Sequence, residues 1–258
     1  MTTTAQRREA ILQHIQTHQK GEVNEFAQQF DVSEVTIRTD LNVLEKQGCI
    51  TRCYGGAVLN NQFAFDQPLQ DKKQLNRSLK SAIGEYAASL VDEGDTIILD
   101  SGSTTEQVAL HLKNRQHLVV MTNGINIAYQ LANQSDIEVM VCGGTLRKNS
   151  YSLHGAGGEE MLTHYRFNKL FLGVDGFDIK TGITTPHRGE ADINRKMVDV
   201  AQTVIAVTDS SKFDRQSFCL IASLSEVDIL ITDSGISDQY VEQLTAHGID
   251  VHIVDKNL

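Results

Sequence analysis

The spacing of apolar residues near the start of the chain predicts three short helices. Within each segment the apolar side chains recur every three or four positions, which places them on one face of a helix. The segments span about residues 6–17, 24–30 and 33–48, and their apolar positions are Ile11, Leu12, Ile15, Phe26, Ala27, Phe30, Ile37, Leu41 and Leu44, with Val32 and Val35 beside them. We expect the three apolar faces to enclose one small hydrophobic core.

The second and third helices are separated by a turn of three residues that ends at Ser33. Ser33 suits the N-cap because its hydroxyl can accept a first-turn amide hydrogen, and the charge of Glu34 is favourable beside the helix N-terminus. The outward-facing positions of the third helix are polar, namely Thr36, Arg38 and Thr39. Two short helices joined by a tight turn, the second with a polar outer face, are typical of a helix-turn-helix that binds DNA. The motif is predicted at about residues 20–39.

The residues that follow the third helix predict a β-hairpin, because two short strand-like stretches flank the pair Gly55-Gly56. The strands are predicted at residues 50–54 and 57–59. Three helices followed by a hairpin form a winged helix, so residues 1–58 are predicted as a winged helix-turn-helix DNA-binding domain. The side chains expected to contact bases or phosphates are Ser33, Thr36, Arg38 and Thr39 of the third helix, Lys46 near its end, and Arg52 and Tyr54 of the wing.

The charge of this first domain does not by itself favour DNA. Residues 1–56 hold six basic and seven acidic side chains, and the whole chain of 258 residues has a net charge of −10. Since DNA-binding proteins gain affinity by neutralising phosphates, bulk charge argues weakly against DNA. Local placement matters more, because Arg38 and Arg52 could share one face while Glu9, Glu22 and Glu25 lie elsewhere. The pattern alone leaves open a three-helix domain that binds another protein.

Beyond residue 78 the apolar pattern changes to short strands that alternate with helices. The strands are predicted at 96–99, 118–121, 139–141, 170–174, 204–207, 229–232 and 251–254. The helices are predicted at 79–90, 106–112, 125–131, 191–201 and 239–247. This alternation predicts an α/β domain over residues 79–258, with a mostly parallel sheet and helices on both faces. Residues 59–78, which hold Pro68 and a mixed polar run, are predicted as a linker.

Polar or glycine-rich segments follow five of the predicted strands. They are Asp100–Thr105, Thr122–Gly124, Gly143–Arg147, Asp175-Gly176 and Thr208–Phe213. Parallel α/β sheets bind ligands at the carboxyl ends of their strands, where helix N-termini and basic side chains can hold a phosphate. We therefore expect a crevice for a small, phosphorylated, hydroxyl-rich ligand. Its candidate contacts are Asp100, Ser101, Gly102, Ser103, Thr104, Thr105, Thr122, Asn123, Gly124, Arg147, Asp175, Glu190 and Lys212.

The remaining chemical features favour simple interpretations. The four cysteines are Cys49, Cys53, Cys142 and Cys219. No second pair of ligands accompanies Cys49 and Cys53, so we expect neither a metal site nor a cofactor. The first ten residues are polar and no apolar run approaches about 18 residues, so neither a signal peptide nor a membrane span is expected. These features predict a cytoplasmic protein.

Short motifs are distributed over nearly the whole chain. They are Thr36–Leu41, Leu44–Gly48, Arg52–Ala57, Leu99–Thr105, Phe171–Gly176, Gly182–Thr185, Glu190-Ala191, Arg195–Met197 and Thr208–Phe213. Their residues and their order resemble the DeoR family of bacterial regulators of sugar metabolism, and within it the repressors of N-acetylgalactosamine and galactosamine use. The sequence departs from the family at Thr39, where a second basic residue is frequent.

The resemblance implies a repressor of a carbohydrate operon, with a C-terminal domain of the sugar-phosphate-isomerase type that senses a phosphorylated sugar. Release from operator DNA by that sugar is expected, as is a homo-oligomer, either dimer or tetramer, that binds two half-sites about one helical turn apart. The residues leave an isomerase open as the alternative. Asp175, Asp178 and Glu190 could supply its carboxylate base, and Lys180 or Lys212 could stabilise an enediolate. A pure scaffold is a third interpretation, but it has no use for convergent polar loops.

Overall fold

The structure is a computed structural model that describes residues 4–46, 50–59, 66–113 and 115–255. The chain divides into two compact units, Met1–Phe65 and Asp66–Leu258. No helix of the described residues is both long and apolar enough to cross a membrane. Within the same residues, no three His, Cys, Asp or Glu side chains are grouped so that they could hold a metal ion. Cys53, Cys142 and Cys219 are free thiols, and Cys49 lies outside the described residues.

The first unit is a winged helix, which confirms the predicted class. Its elements are α1 (Thr4–His18), β1 (Lys20–Glu22), α2 (Val23–Phe30), α3 (Glu34–Lys46), β2 (Ile50–Cys53) and β3 (Gly56–Leu59). The strands form an antiparallel sheet in the order β1-β3-β2, so the hairpin β2–β3 is extended by a strand that the sequence pattern did not predict. Gly21 makes this strand possible, because a Cβ at that position would lie 2.3 Å from the ring of Phe26.

The core of the first unit is formed by the predicted apolar faces. Ile11, Phe26, Ile37 and Leu41 are fully buried. The expectation for Val35 was wrong: its side chain is 72% exposed in the first turn of α3. Helical geometry explains the error, since Ile37 and Leu41, four residues apart, define the buried face and a residue two positions before Ile37 points elsewhere.

The second unit is the predicted α/β domain with several additions. Its helices are α4 (Leu69–Gln74), α5 (Arg77–Ser89), α6 (Ser103–His111), α7 (Ile125–Leu131), α8 (Ala156–Thr163), α9 (Arg188–Val200) and α10 (Asp238–Ala246). Its strands are β4 (Thr96–Leu99), β5 (Leu118–Thr122), β6 (Ile137–Val141), β7 (Thr145–Arg147), β8 (Ser152–His154), β9 (Phe167–Gly173), β10 (Gly176–Asp178), β11 (Gly182–Thr185), β12 (Ala201–Val207), β13 (Cys219–Ala222), β14 (Ile229–Asp233) and β15 (Asp250–Val254). The hairpin β7–β8, helix α8 and the antiparallel sheet β10-β11-β13 were not predicted.

The main sheet has seven parallel strands in the order β15-β14-β12-β9-β4-β5-β6. From β4 the chain builds the sheet outward through β5 and β6, and from β9 it builds in the opposite direction. The order therefore reverses between β4 and β9, and the loops that follow these two strands part there, leaving a crevice. Alternate residues of β4 enter different cores, since Ile98 packs on one face of the sheet and Ile97 and Leu99 pack on the other.

The predicted linker extends too far into the second unit. Residues 66–78 form α4 and the start of α5, and they belong to the second unit rather than to a free connection. The physical reason is tertiary: Leu69 is buried and Lys72 makes an ion pair with Asp175, a residue far away in the sequence. A segment of mixed polarity carries no periodic signal for such contacts.

Candidate functional site

The N-terminus of α3 is capped as the sequence predicts. The Thr36 amide donates to Ser33 Oγ at 3.2 Å, and the two side-chain hydroxyls are 2.9 Å apart. Both hydroxyls are thus used within the cap in the absence of DNA, although Ser33 remains exposed and Thr36 is half-buried. To contact bases as predicted, these hydroxyls would have to bond to DNA in addition to, or in place of, their partners at the helix N-terminus.

The outer face of α3 presents one basic and one apolar side chain near its start. Arg38 is about half-exposed and donates to Glu34 Oε2 at 3.0 Å, an ion pair between neighbouring turns. The Thr39 hydroxyl donates to the Val35 carbonyl at 2.9 Å. Val35, which the sequence interpretation assigned to the core, therefore joins Arg38 on the surface that a recognition helix presents to DNA.

The wing has an exposed tip and a tied base. Tyr54 is fully exposed and is followed by Gly55 at a φ of 79°, a left-handed conformation that glycine adopts without strain. Arg52 is bound within the unit, because its guanidinium donates to Asn42 Oδ1 at 2.5 Å and to the Gly56 carbonyl at 3.3 Å. Its predicted phosphate contact thus competes with a role in fastening the wing to α3. Lys46 ends α3, and its side chain lies outside the described residues.

A pocket lies at the switch point of the second unit, where the loops after β4, β9 and β12 meet. Eight of the predicted contacts line it, namely Asp100, Ser101, Gly102, Ser103, Thr104, Asp175, Glu190 and Lys212. Eleven further residues line it that were not among the predicted contacts: Leu69, Lys72, Lys80, Ser150, Gly173, Val174, Thr185, Asn194, Thr208, Asp209 and Ile221. Thr208 and Asp209 were within a motif at a strand end, whereas Lys72 and Lys80 had no local signal of a site.

Five predicted contacts do not line the pocket: Thr105, Thr122, Asn123, Gly124 and Arg147. Asn123 supports the loop after β4, because its Oδ1 accepts the Ser101 amide at 2.9 Å and its Nδ2 donates to the Leu153 carbonyl at 3.2 Å. Arg147 is engaged by Asp66 and by Glu190, so it is not free to neutralise a ligand. These residues shape the site from outside.

Glu190 is a wall residue whose carboxylate is already occupied. Its Oε1 accepts from Ser150 Oγ at 2.5 Å, from Ser152 Oγ at 2.7 Å and from Arg147 at 3.2 Å. A buried carboxylate with three donors is a rigid structural centre. It ties the hairpin β7–β8 to α9 and leaves little capacity for a ligand.

Three lysines face the pocket, and they differ in their partners. Lys72 Nζ lies 2.5 Å from Asp175 Oδ1. Burial opposes its charge, but Asp175, together with Glu190 and Asp66, outweighs burial and raises the pKa of Lys72. Burial lowers the pKa of Lys80 to about 8, and its ammonium donates to the Lys72 carbonyl at 2.5 Å. Burial also lowers the pKa of Lys212, whose ammonium makes no hydrogen bond and no ion pair within the described part of the chain. Lys212 is therefore the available cation.

Asp100 is the most unusual acid of the pocket. It is 2% exposed, and burial raises its pKa to about 8, so the carboxyl is largely protonated at neutral pH. Its Oδ2 is 3.4 Å from Asn194 Nδ2, while its Oδ1 and Asn194 Oδ1 are buried without a hydrogen-bond partner among the described residues. Buried polar atoms without partners are rare in folded proteins. Both residues line the pocket, so these two oxygens are candidate contacts for a polar ligand.

Comparison with known proteins gives matches over both units. The description "DeoR-like helix-turn-helix domain" matches residues 7–63, and "DeoR C terminal sensor domain" matches residues 75–234. The chain is 39% identical over 256 residues to a putative aga operon transcriptional repressor of Escherichia coli O157:H7, which covers 98% of this chain and 95% of that protein. It is 34% identical to the HTH-type transcriptional repressor GlcR of Bacillus subtilis (strain 168), over 96% of this chain and 95% of that one.

Among solved structures, ribose 5-phosphate isomerase A from Methanocaldococcus jannaschii is similar over 54% of this chain and 55% of its own. The identity is 19% and the TM-score is 0.41. A match at this level says nothing about activity.

Proposed function

Since the chain belongs to the DeoR family of transcriptional regulators, we propose that it represses an operon for amino-sugar use and that a phosphorylated sugar releases it from its operator. The E. coli relative, which carries the name of an aga operon repressor, supports the choice of operon. The observation that carries the choice of effector is the pocket, which combines the unpaired ammonium of Lys212 with the unpartnered buried oxygens of Asp100 and Asn194.

Each part of such an effector has a complementary group in the pocket. The phosphate pairs with Lys212 and with the amides at the start of α6, because helix N-termini favour anions. Sugar hydroxyls form hydrogen bonds with Asp100 Oδ1 and Asn194 Oδ1, which have no other partner among the described residues. A protonated Asp100 donates one hydrogen bond through its hydroxyl and accepts others. A neutral carboxyl is also the form that repels a phosphate least.

Operator DNA is bound by the first unit. The proposed contacts are Ser33, Thr36, Arg38 and Thr39 on α3, Lys46 at its end, and Arg52 and Tyr54 in the wing, to which the structure adds the exposed Val35. One winged helix covers only a few base pairs, so we propose that the protein acts in the cytoplasm as a dimer or tetramer on paired half-sites. The sugar releases DNA because it binds the DNA-incompetent arrangement more tightly.

A gel-shift titration on the DNA upstream of the chain's own operon tests this function. Galactosamine 6-phosphate, N-acetylgalactosamine 6-phosphate and tagatose phosphates are added in turn. A specific shift that one of them reverses is the expected result. Absence of a specific shift at low salt would contradict operator binding, and conversion of any of these sugars by the protein would favour the isomerase alternative.

Lys212→Ala separates the pocket from the DNA surface. The variant is expected to require a higher effector concentration for release, because it lacks the unpaired cation, while its operator affinity without effector stays unchanged. Lys180→Ala is the matched control, since Lys180 is an exposed lysine of the same unit outside the pocket. Weakened operator binding with normal release in the Lys212 variant would contradict this division of roles.

A further inference from the structure

Helix α4 is the first helix that follows the DNA-binding unit along the chain, and its segment is fastened to the wall of the pocket at Asp175 and to neighbouring parts of the second unit through its other contacts. The contacts of residues 66–74 are those of Asp66 with Arg147 and Asn149, Leu69 with Asn149, Gln70 with Tyr151, Lys72 with Asp175, and Lys73 with Glu106. The chain that leads away from the DNA-binding unit is therefore held at the pocket wall by the Lys72–Asp175 pair, and beside the pocket by the hairpin β7–β8 and helix α6.

Lys72 is the charged residue of α4 that lines the pocket. Its side chain is 17% exposed and its ammonium lies 2.5 Å from Asp175 Oδ1. Its carbonyl accepts a hydrogen bond of 2.5 Å from Lys80 Nζ. Burial lowers the pKa of Lys72, but Asp175, Glu190 and Asp66 together raise it above its usual value, so the side chain is charged at neutral pH. An anion that enters the pocket thus meets a cation that already has an anionic partner.

Asp175 can exchange that partner without being left as an isolated buried charge. Its Oδ2 accepts a hydrogen bond of 3.2 Å from the Thr185 hydroxyl, and the nearby charge of Lys212 helps to hold the Asp175 pKa low against burial. In the bound state proposed above, Lys212 lies between Asp175 and the phosphate and pairs with both. Removing one member of a buried pair is strongly unfavourable only when the other is left uncompensated. Transfer of Lys72 from Asp175 to a phosphate is therefore accessible, and it changes what holds α4.

We propose that Lys72 is an effector-contacting residue, and that its exchange between Asp175 and the effector's anion transmits pocket occupancy through α4 to the DNA-binding unit. The inference rests on the proposed function, because it takes the pocket to be the effector site. In the empty protein the Lys72–Asp175 pair keeps α4 in the arrangement that favours operator binding. Differential contact of this kind is what coupling between two sites requires.

The first test compares Lys72→Gln with Lys73→Gln in the full-length protein without any sugar. Both variants remove one lysine charge from α4, but Lys73 pairs with Glu106 and does not line the pocket. The probe is a labelled operator duplex, and anisotropy gives its Kd. Lys72→Gln is expected to weaken operator binding at least about fivefold, the lower end of ordinary coupling between sites, with the control unchanged. Equal effects of the two variants would overturn the proposal.

Asp175→Asn removes the other partner of the same ion pair. It distinguishes a specific role of the Lys72–Asp175 pair in operator binding from a general loss of stability. Operator binding should weaken to a similar extent in this variant, and the double variant with Lys72→Gln should be no weaker than either single one, since both remove one contact. Thermal unfolding of all variants is recorded in parallel. Additive losses of operator affinity, or losses that follow the melting temperatures, would contradict the proposed role of the Lys72–Asp175 pair.

Titration with galactosamine 6-phosphate and N-acetylgalactosamine 6-phosphate distinguishes the role of Lys72 from the proposed function, which is release from the operator by a phosphorylated sugar. In the wild type, one sugar should raise the operator Kd; in Lys72→Gln the ratio of Kd values with and without sugar should approach one. If the sugar released the wild type and the Lys72→Gln variant had the same ratio of Kd values as the wild type, only the role of Lys72 would be overturned and the proposed function would stand. If no phosphorylated sugar altered wild-type operator binding, the effector assignment and the role of Lys72 would both fall.

Discussion

The DNA-binding surface and the pocket use polar residues in opposite ways. On α3 and the wing, Arg38 and Tyr54 lie exposed, and the Arg38 side chain makes an ion pair with Glu34 on the helix surface. In the pocket, Asp100 and Glu190 are buried and Lys72 and Asp175 nearly so. The side chains of the first surface are hydrated until DNA binds, whereas the titratable side chains of the pocket are largely shielded from water.

This difference in burial shows at which of the two sites functional side chains reduce the stability of the fold. A hydrated polar side chain contributes little to the free energy of folding, so a DNA surface can be chosen freely for its partner. A buried charge destabilises the fold unless it is paired and hydrogen-bonded. Asp100 avoids that cost in part because burial raises its pKa, and a pKa perturbed in this way makes it a candidate for a functional site.

The largest effect is expected at a buried charge of the first unit. This unit offers a buried and an exposed ion pair on the same helix, so the two can be compared directly. Asp40 is 1% exposed and accepts from Arg7 and Arg8, each at 2.7 Å. Asp40→Ala leaves the buried Arg7 uncompensated and should destabilise the unit by about 3–5 kcal/mol. Hydrogen exchange of the α1 and α3 amides measures it. Glu34→Ala in the same helix, with an exposed ion pair, should change stability by less than about 1 kcal/mol; similar losses in both variants would break the contrast.

Asp100→Asn should change how stability depends on pH. The folded protein holds the Asp100 proton up to a pKa of about 8, while the unfolded chain releases it near 3.8. Its contribution is therefore fully present below the unfolded pKa and is lost as pH rises to about 8, with a slope of at most about 1.4 kcal/mol per pH unit. Urea unfolding at pH 5 and pH 8 should show the variant gaining stability over the wild type at the higher pH. Parallel behaviour would show that Asp100 ionises normally.

Arg38→Ala should abolish most specific operator binding without affecting the fold. A good contact between arginine and guanine contributes about 1–3 kcal/mol of discrimination, and the exposed ion pair with Glu34 contributes little. Operator Kd and the unfolding free energy are measured together, with Arg195→Ala as the control because Arg195 is an exposed arginine of the second unit. Retained specific binding in the Arg38 variant would remove this residue from the DNA surface.

The smallest effect concerns Val35, whose exposure suggests apolar contact with a thymine methyl group. Val35→Ala should weaken operator binding by about 1 kcal/mol, as expected for one or two buried carbon groups. Replacing thymine by uracil along the operator should then weaken wild-type binding at one position and leave the variant insensitive there. Val58→Ala, an exposed valine of β3, is the control. Equal sensitivity to uracil in wild type and variant would refute the contact.

Local patterns predicted most elements of the fold and part of the pocket. The loop from Asp100 to Thr104 was found because polar residues follow a buried strand, and parallel strands place their carboxyl ends together. Lys72 and Lys80 were missed, since they belong to segments whose polarity resembles that of a linker or a solvated helix face. Arg147 stays a predicted ligand contact, but a sequence does not show that Asp66 and Glu190 already engage it.

The sequence by itself determined the winged helix, the parallel α/β domain and the edge of the sheet where polar loops gather. These follow from periodicity, capping and turn residues, which act over a few positions along the chain. Tertiary structure alone decided which charges meet: Lys72 with Asp175, 103 residues apart, and Arg7 with Asp40, 33 residues apart. Burial and the partners of a charge depend on residues distant in sequence, and these set whether a charged group is a structural tie or remains available to a ligand.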